Sequence, residues 1–195
     1  MPVKFNSSIS SHEIIERVQE EKPFGYIVQN LEKTFGEPKF SGRKSEPLAT
    51  LVNIILSQAT TDANSRRTFE NLKKRFGNWE NVLAAEESEI ADAIRLGGLA
   101  NQKAKVIKDL LRQIKETSGG LSLKFVEKMS NEEAKIFLSQ FRGIGPKTVA
   151  CTLLFACHKE VFPLDTHIFR VLRRMGILPE KIADAKGHGL LDKVV

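Results

Sequence analysis

Apolar residues recur along this chain with a helical period. Phe24, Ile27, Val28, Leu31 and Phe35 fall at i, i+3, i+4, i+7 and i+11, one stripe of a helix that Gly36 and Pro38 bring to an end. An earlier short helix is predicted from about Ser10 or Ser11, with Ile14, Ile15 and Val18 inward, and Gly36 to Glu46 reads as a loop. Pro47 suits a first helical turn, and Leu48, Leu51, Val52, Ile55 and Leu56 then form a broad buried face. Thr60-Thr61-Asp62 ends that helix and caps the next, whose stripe is Phe69, Leu72 and Phe76 before Gly77. Ile90, Ala91 and Ile94 mark a short helix before Gly97-Gly98. Val106, Ile107, Leu110, Leu111 and Ile114 mark a longer one that ends near Gly119-Gly120. Leu121, Leu123 and Phe125 alternate like a strand, in a run too short to support a sheet.

Ser130 and Glu133 have the spacing of a capping box, ahead of an inner face of Ala134, Phe137, Leu138 and Phe141. Gly143-Ile144-Gly145 is a tight turn, and Pro146 opens a helix that is apolar nearly all round through Cys157 and is expected at the centre of the fold. Asp165 caps a last helix, predicted to face inward through Ile168, Val171, Leu172 and Met175. The pattern predicts an all-α protein without internal repeats or long linkers.

The 195 residues carry 30 Lys+Arg against 24 Asp+Glu, a net charge of +6, which permits an anionic partner. A hydrophobic share of 41% excludes a wholly disordered chain. Two cysteines, Cys151 and Cys157, exclude a disulfide scaffold and read as structural thiols. The longest apolar run, Val149 to Cys157, is far short of a membrane span, and the first residues lack the apolar core of a secretory signal. A soluble intracellular protein with no membrane partner is expected.

Candidate chemistry concentrates between Phe141 and His167. In Phe141-Arg142-Gly143-Ile144-Gly145-Pro146-Lys147-Thr148, a glycine turn runs into a helix whose first N–H groups point at whatever lies in front, and a phosphate oxygen fits there. The plainer reading is a compact helix–helix corner. Lys147, in that first turn, opposes the helix dipole; an amine partly buried there would serve as a nucleophile, whereas an exposed one would touch phosphate as a point charge. Asp165 is either an N-cap or a carboxylate aimed into a cleft, able to stabilise a developing sugar cation or relay a proton. The spacing of His158, Asp165 and His167 matches no ligand frame, so no catalytic metal is expected. Arg170, Arg173 and Arg174, then Lys108, Arg112 and Lys115, then Arg66-Arg67 with Lys73-Lys74-Arg75, form basic faces that together suit a phosphate backbone.

Three segments in order, Leu56-Ser57-Gln58-Ala59-Thr60-Thr61-Asp62, Gly143 to Thr148, and Leu164-Asp165-Thr166-His167-Ile168-Phe169-Arg170-Val171, resemble those of endonuclease III-like DNA glycosylases of the helix-hairpin-helix, Gly/Pro…Asp superfamily. The likeness runs from about Ser45 to the end of the chain. It implies two helical lobes flanking a DNA cleft: N-terminal helices in 1–46, a six-helix barrel with the hairpin in 47–157, and the C-terminal part of the discontinuous lobe in 158–195. The implied activity is base-excision-repair glycosylase with AP-lyase chemistry, by default on oxidised pyrimidines. Lys147 would attack the sugar C1′ and Asp165 would assist. Gln58, Gly143, Ile144, Gly145, Thr148 and His167 would contact DNA. The partner would be damaged double-stranded DNA, bound by a monomer, in the bacterial or archaeal cytoplasm and nucleoid or the eukaryotic nucleus.

The family commonly fills the gap left by the flipped base with a Gln. The ungapped position here is Ala59, and Gln58, one residue earlier, is the candidate. The family also continues into a four-cysteine loop holding a [4Fe-4S] cluster. Those cysteines are absent from this chain, so no cofactor is expected in it, and it is expected to be a fragment or a shortened member with an incomplete second lobe. The alternatives are a glycosylase of mismatched, alkylated or methylated bases, and a non-catalytic helix-hairpin-helix module; Lys147 with Asp165 separates the latter from an enzyme.

Overall fold

The computed structural model describes residues 23–37, 45–175 and Leu178. Among these residues the regular structure is helical, with no strand, as the periodicity predicts. The helix predicted near Ser10, the loop beyond Glu37 as far as Lys44, and most of the chain after Met175 lie outside the described residues. The chain divides into two compact units, Lys44–Val161 and Met1–Arg43 with Phe162–Val195.

The large unit is built on α2 (Pro47–Ser57). Pro47 stands at its first position and Glu46 caps it, accepting from the Ala49 amide at 2.8 Å. Leu48, Leu51, Val52, Ile55 and Leu56 are all buried, and each contributes roughly 1.5–3 kcal/mol through apolar area removed from water. α3 (Asp62–Phe76) starts at the Thr61 cap and ends at Gly77. α4 (Trp79–Ala84), capped by Asn78, has no counterpart in the sequence reading, because six residues with Val82 alone buried draw no stripe. α5 (Glu87–Ala93) leads through a 3-10 turn (Arg95–Gly97) into α6 (Ala100–Ser118), whose Ala104, Ile107, Leu110, Leu111 and Ile114 are buried. A Cβ at Gly97 would come within 3.0 Å of Thr68 Oγ1, so glycine lets this turn lie against α3.

The alternation at Leu121, Leu123 and Phe125 does not become a strand. A 3-10 helix (Lys124–Lys128) follows Leu123 instead, the Val126 amide bonding to Leu123 O at 3.0 Å while Leu123 and Val126 enter the core. α7 (Asn131–Ser139) has the expected capping box, and the Ser130 hydrogen bonds hold the Glu133 carboxyl below its ordinary range. α8 (Pro146–Cys157) packs along α2 and is buried on most sides.

In the small unit, α1 (Pro23–Phe35) has its predicted extent, but Leu31 and Phe35 of its stripe are exposed. Periodicity fixes which residues share a face and says nothing of what covers it. α9 (Thr166–Arg174) begins at Asp165, and Leu164, Phe169, Leu172 and Leu178 form a small core. Its inner face is rotated from the predicted one: Val171 is exposed and Phe169 is buried. An aromatic ring removes more area from water than a valine, and that decides between two adjacent faces.

Candidate functional site

The turn between α7 and α8 is fixed from behind. Phe141 is buried, its ring edge-on to Phe137 at 5.3 Å, and its carbonyl accepts from the Ile144 amide at 3.2 Å. The Arg142 amide donates to Gln113 Oε1 on α6 at 3.1 Å. Gly143 has φ +86°, so the backbone hand calls for glycine, while a Cβ there would meet Val106 Cγ1 in ordinary contact at 3.4 Å.

The front of the turn is open. Gly145 caps α8 without a side chain, and a Cβ built on it meets nothing within 4 Å. The Val149 amide makes the first bond of the helix, to Gly145 O at 3.0 Å. The amides of Lys147 and Thr148 precede that bond, at the positive end of the helix dipole. Gly143, Gly145 and Lys147 are exposed, whereas Ile144 and the Thr148 side chain are buried. Thr148 therefore offers an anion its backbone N–H and not its hydroxyl. Lys147 lacks the partial burial that a nucleophilic amine led one to expect.

Gln58 is exposed at the C-cap of α2, where its amide donates to Ile55 O at 3.3 Å. Ala59 follows with φ +52°. Asp165 lies in the small unit, where one carboxylate oxygen accepts from the amides of His167 at 2.9 Å and Ile168 at 2.8 Å. The capping role of Asp165 is thus realised. His167 is exposed, with Nδ1 3.1 Å from Arg170 Nη2.

The basic faces divide by use. Arg66, Arg67, Lys73, Lys74 and Arg75 are exposed on α3, with Lys73 and Arg75 over the rings of Phe69 and Phe76. Lys108 is part-buried and donates to Ala85 O at 2.6 Å, so it ties α6 to its surroundings, whereas Arg112, paired with Asp109 of the same helix at 3.0 Å, and Lys115 are exposed. Arg173 stacks on Phe169 at 4.4 Å. Lys103 went unnoticed in the sequence. It is buried, and its Nζ donates to Leu56 O at 2.9 Å and Gly97 O at 2.8 Å. Its one sequence signal is its phase, on the same face of α6 as Ile107 and Leu110.

Among the described residues no group of three or more His, Cys, Asp or Glu is placed to hold a metal. An iron–sulfur cluster does not fit the thiols of this chain. Its two cysteines lie on one helix, Cys151 is buried, and burial pushes the Cys157 thiol up to about 11, away from the thiolate a cluster needs.

Residues 52–193 match the family described as HhH-GPD superfamily base excision DNA repair protein. A putative DNA glycosylase of Arabidopsis thaliana is 47% identical over 134 residues, 69% of this chain and 45% of that protein. Endonuclease III of Sulfolobus acidocaldarius is 32% identical over 149 residues, 75% of this chain and 64% of that protein. The chain thus spans about half to two thirds of the length of these relatives. An endonuclease III structure in non-covalent complex with DNA has the same fold, with a TM-score of 0.72 at 20% identity over 96% of this chain and 79% of that one. The open glycine hairpin therefore sits within a match that covers most of the sequence, and the chain belongs to the HhH-GPD superfamily of base excision DNA repair proteins.

Proposed function

We propose that this chain acts as a base-excision DNA glycosylase with AP-lyase activity, as a monomer on double-stranded DNA that carries an oxidised pyrimidine. The observation that carries the reading is Lys147, exposed in the first turn of α8 directly behind the unobstructed N-cap Gly145. A phosphate on the amides at the start of α8 brings the deoxyribose of an extruded nucleotide toward that amine.

The chemistry then runs as follows. The Lys147 amine forms a bond to C1′, the N-glycosidic bond breaks, and the base departs with the electron pair and takes up a proton. The amine loses its proton and the sugar ring opens to an iminium. Loss of a C2′ proton then expels the 3′-phosphate. Attack requires a neutral amine, and for an exposed lysine the desolvation that favours neutrality comes from the DNA laid over it. Asp165 stabilises the cationic sugar or relays a proton. Gln58 enters the gap left by the extruded base, and His167 contacts the backbone.

The test is borohydride trapping on a duplex with an abasic site. The wild-type protein is expected to form a covalent adduct, and Lys147→Gln to bind the same duplex without forming one. An adduct that persists in Lys147→Gln removes Lys147 as the nucleophile. Tight binding with no adduct in the wild-type protein would favour a non-catalytic hairpin module.

A further inference from the structure

Three observations meet at the end of α2. The first is a buried ammonium. Lys103, 3% exposed, donates to the carbonyl of Leu56, 47 residues away in sequence, and to that of Gly97. Burial lowers its amine from the ordinary 10.5, so this cation is held at a cost that a neutral side chain would avoid. The second is strain. Ala59 and Leu99 are non-glycine residues with φ of +52° and +50°, a left-handed conformation that side chains disfavour. They follow the two carbonyls that Lys103 holds, by three and two positions. The third is proximity. A Cβ on Gly98 would lie 3.8 Å from Ala59 O, so the 58–61 loop and the 97–99 turn abut. Gln58, Ala59 and Leu99 are all exposed on this pair.

Strained backbone persists only where surroundings over-determine it, and it collects at sites that must hold a shape. The ammonium supplies that constraint. It satisfies the Leu56 carbonyl, in the last turn of α2 where intrahelical partners run out, and ties it to the neighbouring turn through one charged group. An aliphatic residue at position 103 would fill the same space and leave both carbonyls without this donor.

We infer that Lys103 is a positioning residue: it locks the Gln58-bearing loop and the 97–99 turn into one rigid edge that enters the DNA duplex at the lesion. This rests on the glycosylase reading given above, and deepens it by assigning the group that sets the placement of Gln58. It takes no part in the reaction itself.

A double-mutant cycle on duplex binding tests it. Affinity is measured for a duplex with an abasic site and for the same duplex intact, in the wild-type protein, Lys103→Met, Gln58→Ala and the double variant. Lys103→Met is expected to lower the preference for the abasic duplex about tenfold or more, as a small misplacement of a positioned group does, with intact-duplex affinity within about twofold. The double variant is expected to lose no more than Gln58→Ala alone, since Lys103 acts through that loop. An unchanged preference in Lys103→Met, or losses that multiply in the double variant, overturns the positioning role and leaves the glycosylase reading standing. No preference for the abasic duplex in the wild-type protein overturns both. If Lys103→Met does not fold, Lys103→Gln, which fills the site with a polar group but is uncharged and one bond too short to hold both carbonyls, replaces it in the same cycle under the same criteria.

Discussion

At the scale of single residues, one side chain caps a helix and is proposed to assist the reaction, two roles that substitution can pull apart. Asp165 accepts two backbone N–H groups at the start of α9. Asparagine caps helices about as well as aspartate, but carries no charge. Asp165→Asn is therefore expected to melt close to the wild-type protein and to lose most strand cleavage at an abasic site. Asp165→Ala is expected to lose that cleavage and also about 1 kcal/mol of stability, measured by denaturant unfolding. Full cleavage by Asp165→Asn would confine Asp165 to capping. The capping geometry was legible in the sequence because it is local: an Asp after a Pro-Leu turn meets amides two and three residues on. Lys147 was legible in position but not in exposure, which depends on what α8 packs against.

At the scale of elements, the hairpin gives its two glycines different tasks. Gly143 is needed for its positive φ, whereas Gly145 faces open space with an ordinary φ. Gly143→Ala is expected to destabilise the protein by about 1–2 kcal/mol in chemical denaturation. Gly145→Ala is expected to cost less than about 1 kcal/mol, as a cap change, yet to weaken duplex binding several-fold, because a methyl group stands where a phosphate would approach. Equal binding by Gly145→Ala and the wild-type protein would place the phosphate elsewhere. Helix starts at Pro47, Thr61, Ser130 and Pro146 were readable because caps and prolines act within one turn. The alternation at Leu121, Leu123 and Phe125 rightly gave no sheet, because alternation alone cannot supply a neighbouring strand, but the 3-10 helix at 124–128 was not foreseen.

At the scale of the whole molecule, a net charge of +6 and the exposed cations of α3 bear on how duplex binding responds to salt. With about three phosphate contacts, raising salt from ~50 to ~200 mM is expected to cost on the order of 40-fold in affinity, read by fluorescence anisotropy. A flat response would set the basic faces aside as solvated surface. The sequence by itself determined the helical class, most helix limits, the glycine hairpin with its lysine and the capping aspartate, because each follows from contacts within a few residues of chain. Only the tertiary structure decided which cations face outward and which are spent inside. Lys103 and Lys108 read like the other lysines along the chain until distant carbonyls arrive beside them. It also decided that Phe169 and not Val171 turns inward, since burial is settled by what packs on a face and a helical period names only the residues that share it.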